Sequence, residues 1–223
     1  MELVKRVLTA VILIPIVLAI VLRAPVPVLA IFAGAVALLA IVALVAVAAS
    51  ITGAWPGLIA RLEVTSFATE MAATLATGIA GVAAAFMLSL PDRNRAWVFL
   101  PLPSLALWLA SSGYGCYRSW LVSGPDGLRL GRSSDCFMLI LVFSIPLVAA
   151  LFLALRRLAA SLDPIRVTAA GGLGVAALSA AALQFWHPFD VTVADLAAHM
   201  SAVAIVCAVV IAGGRRGLAI QQA

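Results

Sequence analysis

The sequence predicts an all-α integral membrane protein, a bundle of six to seven transmembrane helices, and three observations carry that prediction. Hydrophobic residues make up 65% of the 223 residues, charged residues only 10%, and the mean hydropathy is +1.20. The apolar residues gather into runs far longer than the roughly 10 residues of a barrel strand, most of them near the roughly 20 that a spanning helix needs. These runs are rich in Ala, Leu and Val and show no strand-like alternation. A soluble domain of this length leaves much of its surface to water, and 14 Lys and Arg with 9 Asp and Glu cannot coat it. Backbone groups in hydrocarbon must bond within the protein, so helices are the expected spanning element.

Seven apolar stretches follow one another: 7–22, 26–52, 69–90, 96–112, 137–155, 167–186 and 193–212. The first is short, holds Pro15, and is separated from the second only by Arg23, Ala24 and Pro25. Lys5 and Arg6 before it imitate the positive start of a signal peptide, but no polar cleavage region follows and apolar character resumes at once. The longest polar connection runs from Gly113 to Cys136. The organisation expected is therefore an apolar amino-terminal segment over 1–52, contributing one or two helices, and a membrane domain of five helices over 53–223. Trp55, Trp97, Trp120 and Trp186 fall at predicted span ends, the depth that amphipathic rings favour.

Orientation comes from Lys and Arg, which cytoplasmic loops retain. One set of alternate connections collects Arg23, Arg93, Arg95, Arg156, Arg157, Arg166, Arg215 and Arg216. The other collects Lys5, Arg6, Arg61, Arg118, Arg129 and Arg132, half of them in one longer loop where the rule weakens. The first set is read as cytoplasmic, which also puts the C-terminus inside. Seven spans would then place the amino terminus outside, against Lys5 and Arg6; a first stretch lying in the interface removes the conflict and leaves six. The net charge of +5 belongs to these loop arginines, and no basic stripe with interleaved aromatics points to direct nucleic-acid binding.

Few residues can carry chemistry. Cys116 and Cys136 bracket the connection expected outside, whereas Cys207 lies inside the last apolar stretch. Two thiols so placed can form a disulfide, bind a soft metal or answer to oxidants; as buried cysteines they would be small hydrophobes. His187, Asp190, Asp195 and His199 form the densest polar cluster on an apolar background, with Asp195 and His199 on one helix face. Ionisable groups in a span often mark function, yet an aspartate in a first turn is also a favourable end-charge. The cysteines and histidines would make a soft-metal site only if the helix ends converge, and their spacing matches no zinc pattern. No other cofactor is implied. Arg61, Glu63 and Glu70 suit a solvated interfacial position, and Gly171, Gly172 and Gly174 suit close helix packing. No nucleophile elbow, phosphate loop or zinc-protease motif occurs, so the chain is not expected to be an enzyme. The reading of another class, a small-molecule or ion transporter or a lipid-handling enzyme using Asp195 and His199, would ask for internal repeats and interrupted helices, and neither is visible.

Five segments then carry a resemblance: 100–108 (LPLPSLALW), 113–120 (GYGCYRSW), Cys136-Phe137, Leu155-Arg156-Arg157 and His187-Pro-Phe-Asp190. In order and spacing, from about Arg61 to the end, the chain resembles the NrsF-type family of membrane anti-sigma factors. These are small bacterial inner-membrane proteins that hold an extracytoplasmic-function sigma factor inactive. The resemblance implies six membrane helices, an amino-terminal cytoplasmic segment that engages the sigma factor, and outer-face cysteines that sense stress. Cys116 and Cys136 fall on two family cysteine positions; Pro188 stands where many relatives carry a third. The polar amino-terminal segment is replaced by apolar sequence, which resembles the opening of CDP-diacylglycerol synthases without their catalytic signature. The implied partners are the bilayer and a sigma factor, with Arg93, Arg95, Arg156, Arg157 and Arg166 as cytoplasmic contacts, and the implied sensor is Cys116 with Cys136.

Overall fold

The computed structural model describes residues 49–90, 93–124, 133–158, 163–185 and 193–217; the apolar stretch 7–22, most of 26–52, and His187 and Asp190 lie outside them. Among the described residues every regular element is helical. After a turn of helix ending at Gly53 come α1 (Trp55–Leu62), α2 (Thr65–Leu88), a 3-10 turn (Arg95–Phe99), α3 (Leu102–Ser123), α4 (Ser133–Leu158), α5 (Pro164–Leu183) and α6 (Val193–Gly217). Five of these, α2 to α6, are long and apolar enough to cross a membrane.

Local chemistry accounts for the boundaries. Asn94 caps the 3-10 turn, its side chain accepting from Ala96 N at 2.9 Å. Pro101 and Pro103 then separate this turn from α3, since a proline supplies no amide to continue a helix but suits its first turn. Gly124 ends α3 at φ +60°, where a side chain would be strained. Asp163 caps α5 by accepting from Arg166 N at 3.2 Å, with Pro164 as the first helical residue.

One expectation is corrected here. Within the stretch 113–136, read as a polar connection, the described residues 113–123 and 133–136 are helical: α3 continues to Ser123 and α4 starts at Ser133, so Cys116 and Cys136 are helical residues. Tyr114, Tyr117, Trp120, Leu121 and Val122 supply the apolar surface that carries α3 onward despite Gly113, Gly115 and Arg118.

The bundle is built around α5. Facing contacts fix its neighbours as antiparallel: Gly78 lies against Leu178 and Gly81 against Gly174 on α2, Leu151 against Gly171 on α4, and Cys207 and Gly214 of α6 against Gly172 and Thr168. The α2–α5 crossing is at backbone level. A Cβ on Gly81 would sit 2.7 Å from both Gly174 Cα and N, and one on Gly174 would sit 2.6 Å from Val82 N. The glycine run on α5 thus does serve close helix packing. Residues of α5 from Val167 onward are almost all buried, whereas Leu107, Leu109, Met138, Val142, Ile145 and Val209 on the outer helices are exposed. Small side chains inside and large apolar ones outside reverse the pattern of a water-soluble globule. Buried hydroxyls are satisfied locally: Thr74 Oγ1 donates to Glu70 O at 2.6 Å, Thr77 Oγ1 to Ala73 O at 2.8 Å, and Ser179 Oγ to Val175 O at 3.0 Å. Between helices, Ser144 Oγ meets Ser179 Oγ at 2.9 Å and joins α4 to α5.

Candidate functional site

The up-and-down order gathers the polar residues at two ends of opposite character. At the first are the C-terminal ends of α2, α4 and α6 and the starts of α3 and α5, with Arg93, Arg95, Arg156, Arg157, Arg166, Arg215 and Arg216. Arg93 and Arg95 are exposed around the 3-10 turn. Arg166 is not an open cation: Nη1 pairs with Asp163 Oδ2 at 3.0 Å across one helical turn. That pair spans the start of α5 and leaves the Arg166 side chain partly exposed.

The second end holds α1, the starts of α2, α4 and α6, and the end of α3. Here Arg61 ties three elements together. Its Nη2 donates to Phe185 O at 2.8 Å, Nε donates to Gly57 O at 3.0 Å, and the guanidinium lies 5.3 Å from the Phe67 ring centroid. A cation on a carbonyl just past the end of α5 also meets the negative pole of that helix. Partial burial lowers the Arg61 pKa from its ordinary value. Leu58, Phe67, Met71 and Ala181 pack beneath, with Phe185 at the edge. Glu70 likewise is more than an interfacial charge: half-buried, it accepts a 2.7 Å hydrogen bond from Ser112 Oγ on α3.

Both candidate thiols are buried, Cys116 at 8% and Cys136 at 5% exposure, whereas Cys207 is only half-buried; this inverts the order expected from sequence. The reason is helical phase. On α3, Trp108, Ser112 and Cys116 recur every four residues along one inward stripe, and on α4, Cys136, Ile140 and Ser144 do the same. Cys207 lies on α6 opposite Gly172, at the edge of the packed face. Cys116 and Cys136 are not joined by a disulfide and stand on helices with different neighbours: α3 packs on α2 and touches α6, whereas α4 packs on α5 and α6. Cys136 belongs to the main apolar core. Asp195 is buried in the first turn of α6 and His199, one turn on, is half-buried. Among the described residues no three of His, Cys, Asp and Glu converge on a point that could hold a metal ion. Sequence reasoning missed the Arg61 clasp and the Glu70–Ser112 bond, because each joins residues far apart in the chain.

A family model described as NrsF, negative regulator of sigma F, matches residues 18–219. The match takes in all five long helices and reaches back into the apolar amino-terminal stretch. No curated protein and no solved structure matches the chain.

Proposed function

The chain belongs to the NrsF family, the negative regulators of sigma F, and from that premise we propose that it holds an extracytoplasmic-function sigma factor inactive from within the bacterial inner membrane. The extent of the family match is the observation that carries this reading, and the five long apolar helices support the membrane setting. The arginine-rich end faces the cytoplasm, as retention of positive charge on that side favours. Arg93 and Arg95 are exposed there, and with Arg156 and Arg157 in the last turn of α4 the sequence supplies positive charge for an acidic surface of a sigma factor. Cys116 and Cys136 lie toward the opposite, outer end, where oxidation or a soft metal favours one helix arrangement over another.

The test is affinity capture of the tagged chain from native membranes, with and without Cys116→Ser and Cys136→Ser, beside a sigma-dependent reporter in cells. Capture of a sigma factor and a rise of the reporter on deletion are expected, with loss of stress response in the serine variants. Recovery of no sigma factor, together with a reporter indifferent to deletion, would sink the regulator reading. A response that survives both serine substitutions would leave the regulator and remove the sensor.

A further inference from the structure

In hydrocarbon a carboxyl group and a hydroxyl are costly unless they are bonded. Glu70 and Ser112 bond each other, and so link the second turn of α2 to the inward stripe of α3. Ser112 is 4% exposed, and Cys116 follows it on the same stripe one turn, ~5.4 Å, closer to the end of α3. The residues around the thiol contribute little to its cover: Tyr114, Tyr117 and Trp120 are all exposed. Nor do glycines lock this part of the helix, since a Cβ on Gly113 or Gly115 would meet nothing within 4 Å. Cys116 stands on the inward stripe of a helix that packs on α2 and touches α6, so its burial follows the rotational register of α3 in the bundle. Near the thiol that register is held by the Glu70–Ser112 bond and, one turn below it, by Trp108.

We propose that Glu70 is a positioning residue for Cys116: by accepting from Ser112 it fixes the register of α3 on α2 and thereby sets how readily the thiol reacts. The regulatory meaning of this rests on Cys116 being a sensing thiol; the geometry itself does not. A side-chain hydrogen bond between membrane helices reaches a strength at which its loss shifts the balance between buried and accessible thiol by about ten-fold.

The experiment uses the full chain in native membranes with Cys136→Ser and Cys207→Ala, leaving Cys116 as the reactive thiol, and measures the initial rate of labelling by N-ethylmaleimide. Ser112→Ala and Glu70→Leu are each expected to raise that rate by about ten-fold. Glu70→Gln, which keeps an acceptor oxygen, stays within about two-fold of the parent. Ser111→Ala is the control, because Ser111 Oγ bonds back to Trp108 O of its own helix at 2.9 Å, and it leaves the rate unchanged. The pair Glu70→Leu with Ser112→Ala labels no faster than Glu70→Leu alone, because in that variant Ser112 has already lost its acceptor. Unchanged labelling in both single variants, an additive rise in the double, or an equal rise in Ser111→Ala would each overturn the proposal. Capture of the sigma factor in parallel separates the two readings. Faster labelling with no change in stress-induced sigma release keeps the positioning role and removes the sensor, whereas unchanged labelling removes the positioning role whatever the sigma factor does.

Discussion

Gly81→Ala places one methyl group where the α2 and α5 backbones meet. Its Cβ would lie 2.7 Å from Gly174 Cα and N and 2.9 Å from Ala170 O, all backbone atoms that no rotamer change can move. Carbon contacts settle near 3.5–4.0 Å, so the helices must part by about 1 Å, and a gap of that size forfeits a quarter to a half of each contact's attraction. Overpacking of this kind costs about 1–3 kcal/mol, and the rigid neighbours put it at the upper end. The better helix propensity of alanine returns about 1 kcal/mol, leaving a net loss of about 2 kcal/mol. Gly113→Ala carries the same propensity gain with nothing within 4 Å of the new Cβ, so it stabilises by about 0.5–1 kcal/mol. The assay is reversible unfolding in mixed micelles against the mole fraction of SDS, followed by circular dichroism. Gly81→Ala should unfold at clearly lower SDS than the parent and Gly113→Ala at the same or higher. Identical midpoints for the two variants would refute the backbone-level crossing.

Arg61→Met keeps most of the side-chain volume but loses the bond to Phe185 O, so amide exchange over α1 should speed up by about ten-fold while α5 is unaffected; equal protection would show that the clasp holds nothing. Ser144→Ala, Ser179→Ala and their double variant should give a coupling of about 0.6 kcal/mol, and strict additivity would mean that the 2.9 Å contact contributes no net stability. Single cysteines at Arg95 and at Tyr117, both exposed positions, should react oppositely with a membrane-impermeant maleimide on intact cells: Tyr117→Cys labels and Arg95→Cys labels only after lysis. The reverse pattern would invert the proposed orientation.

Length and apolarity made the five long helices legible in sequence, because neither property depends on what packs where. The ends were harder to place. Residues 96–112 read as one span and fall within one, Arg95–Val122, inside which Pro101 and Pro103 mark the passage from a 3-10 turn to the start of α3. Residues 113–123 read as loop because glycine and Arg118 lower the hydropathy, although interfacial tyrosine and tryptophan can carry a helix past the apolar core. The glycines of α5 announced close packing, yet their partners Gly78 and Gly81 were invisible, since partnership is a tertiary property. The site was less legible for the same reason. Position beside an apparent loop suggested accessible thiols, and the four-residue stripe that buries Cys116 becomes meaningful only once α2 is known to lie against it.

On the proposed reading, in which Cys116 and Cys136 sense a signal at the outer end, the packing limits how that signal reaches the arginine-rich end. Driving a two-state equilibrium from about 1:99 to 99:1 takes about 5.5 kcal/mol of differential stability. Two interhelical side-chain bonds, Glu70–Ser112 at about 1.4 kcal/mol and Ser144–Ser179 at about 0.6 kcal/mol, supply about 2 kcal/mol together, within the range for such bonds in membranes. Most of the change must therefore come from helix packing. The α2–α5 crossing has no slack to give, with backbone atoms already in contact at Gly81 and Gly174, and α6 is set against α5 at Gly172 and Gly214. α3 and α4 carry Cys116 and Cys136, and large parts of both stay exposed. Our hypothesis is that these two helices move against a fixed frame of α2, α5 and α6. Spin labels on α2 and α5 should then keep one distance before and after exposure to oxidant, while a pair on α2 and α3 or on α4 and α6 changes. A shift of the α2–α5 distance would place the moving joint at the glycine crossing and defeat this division of the bundle.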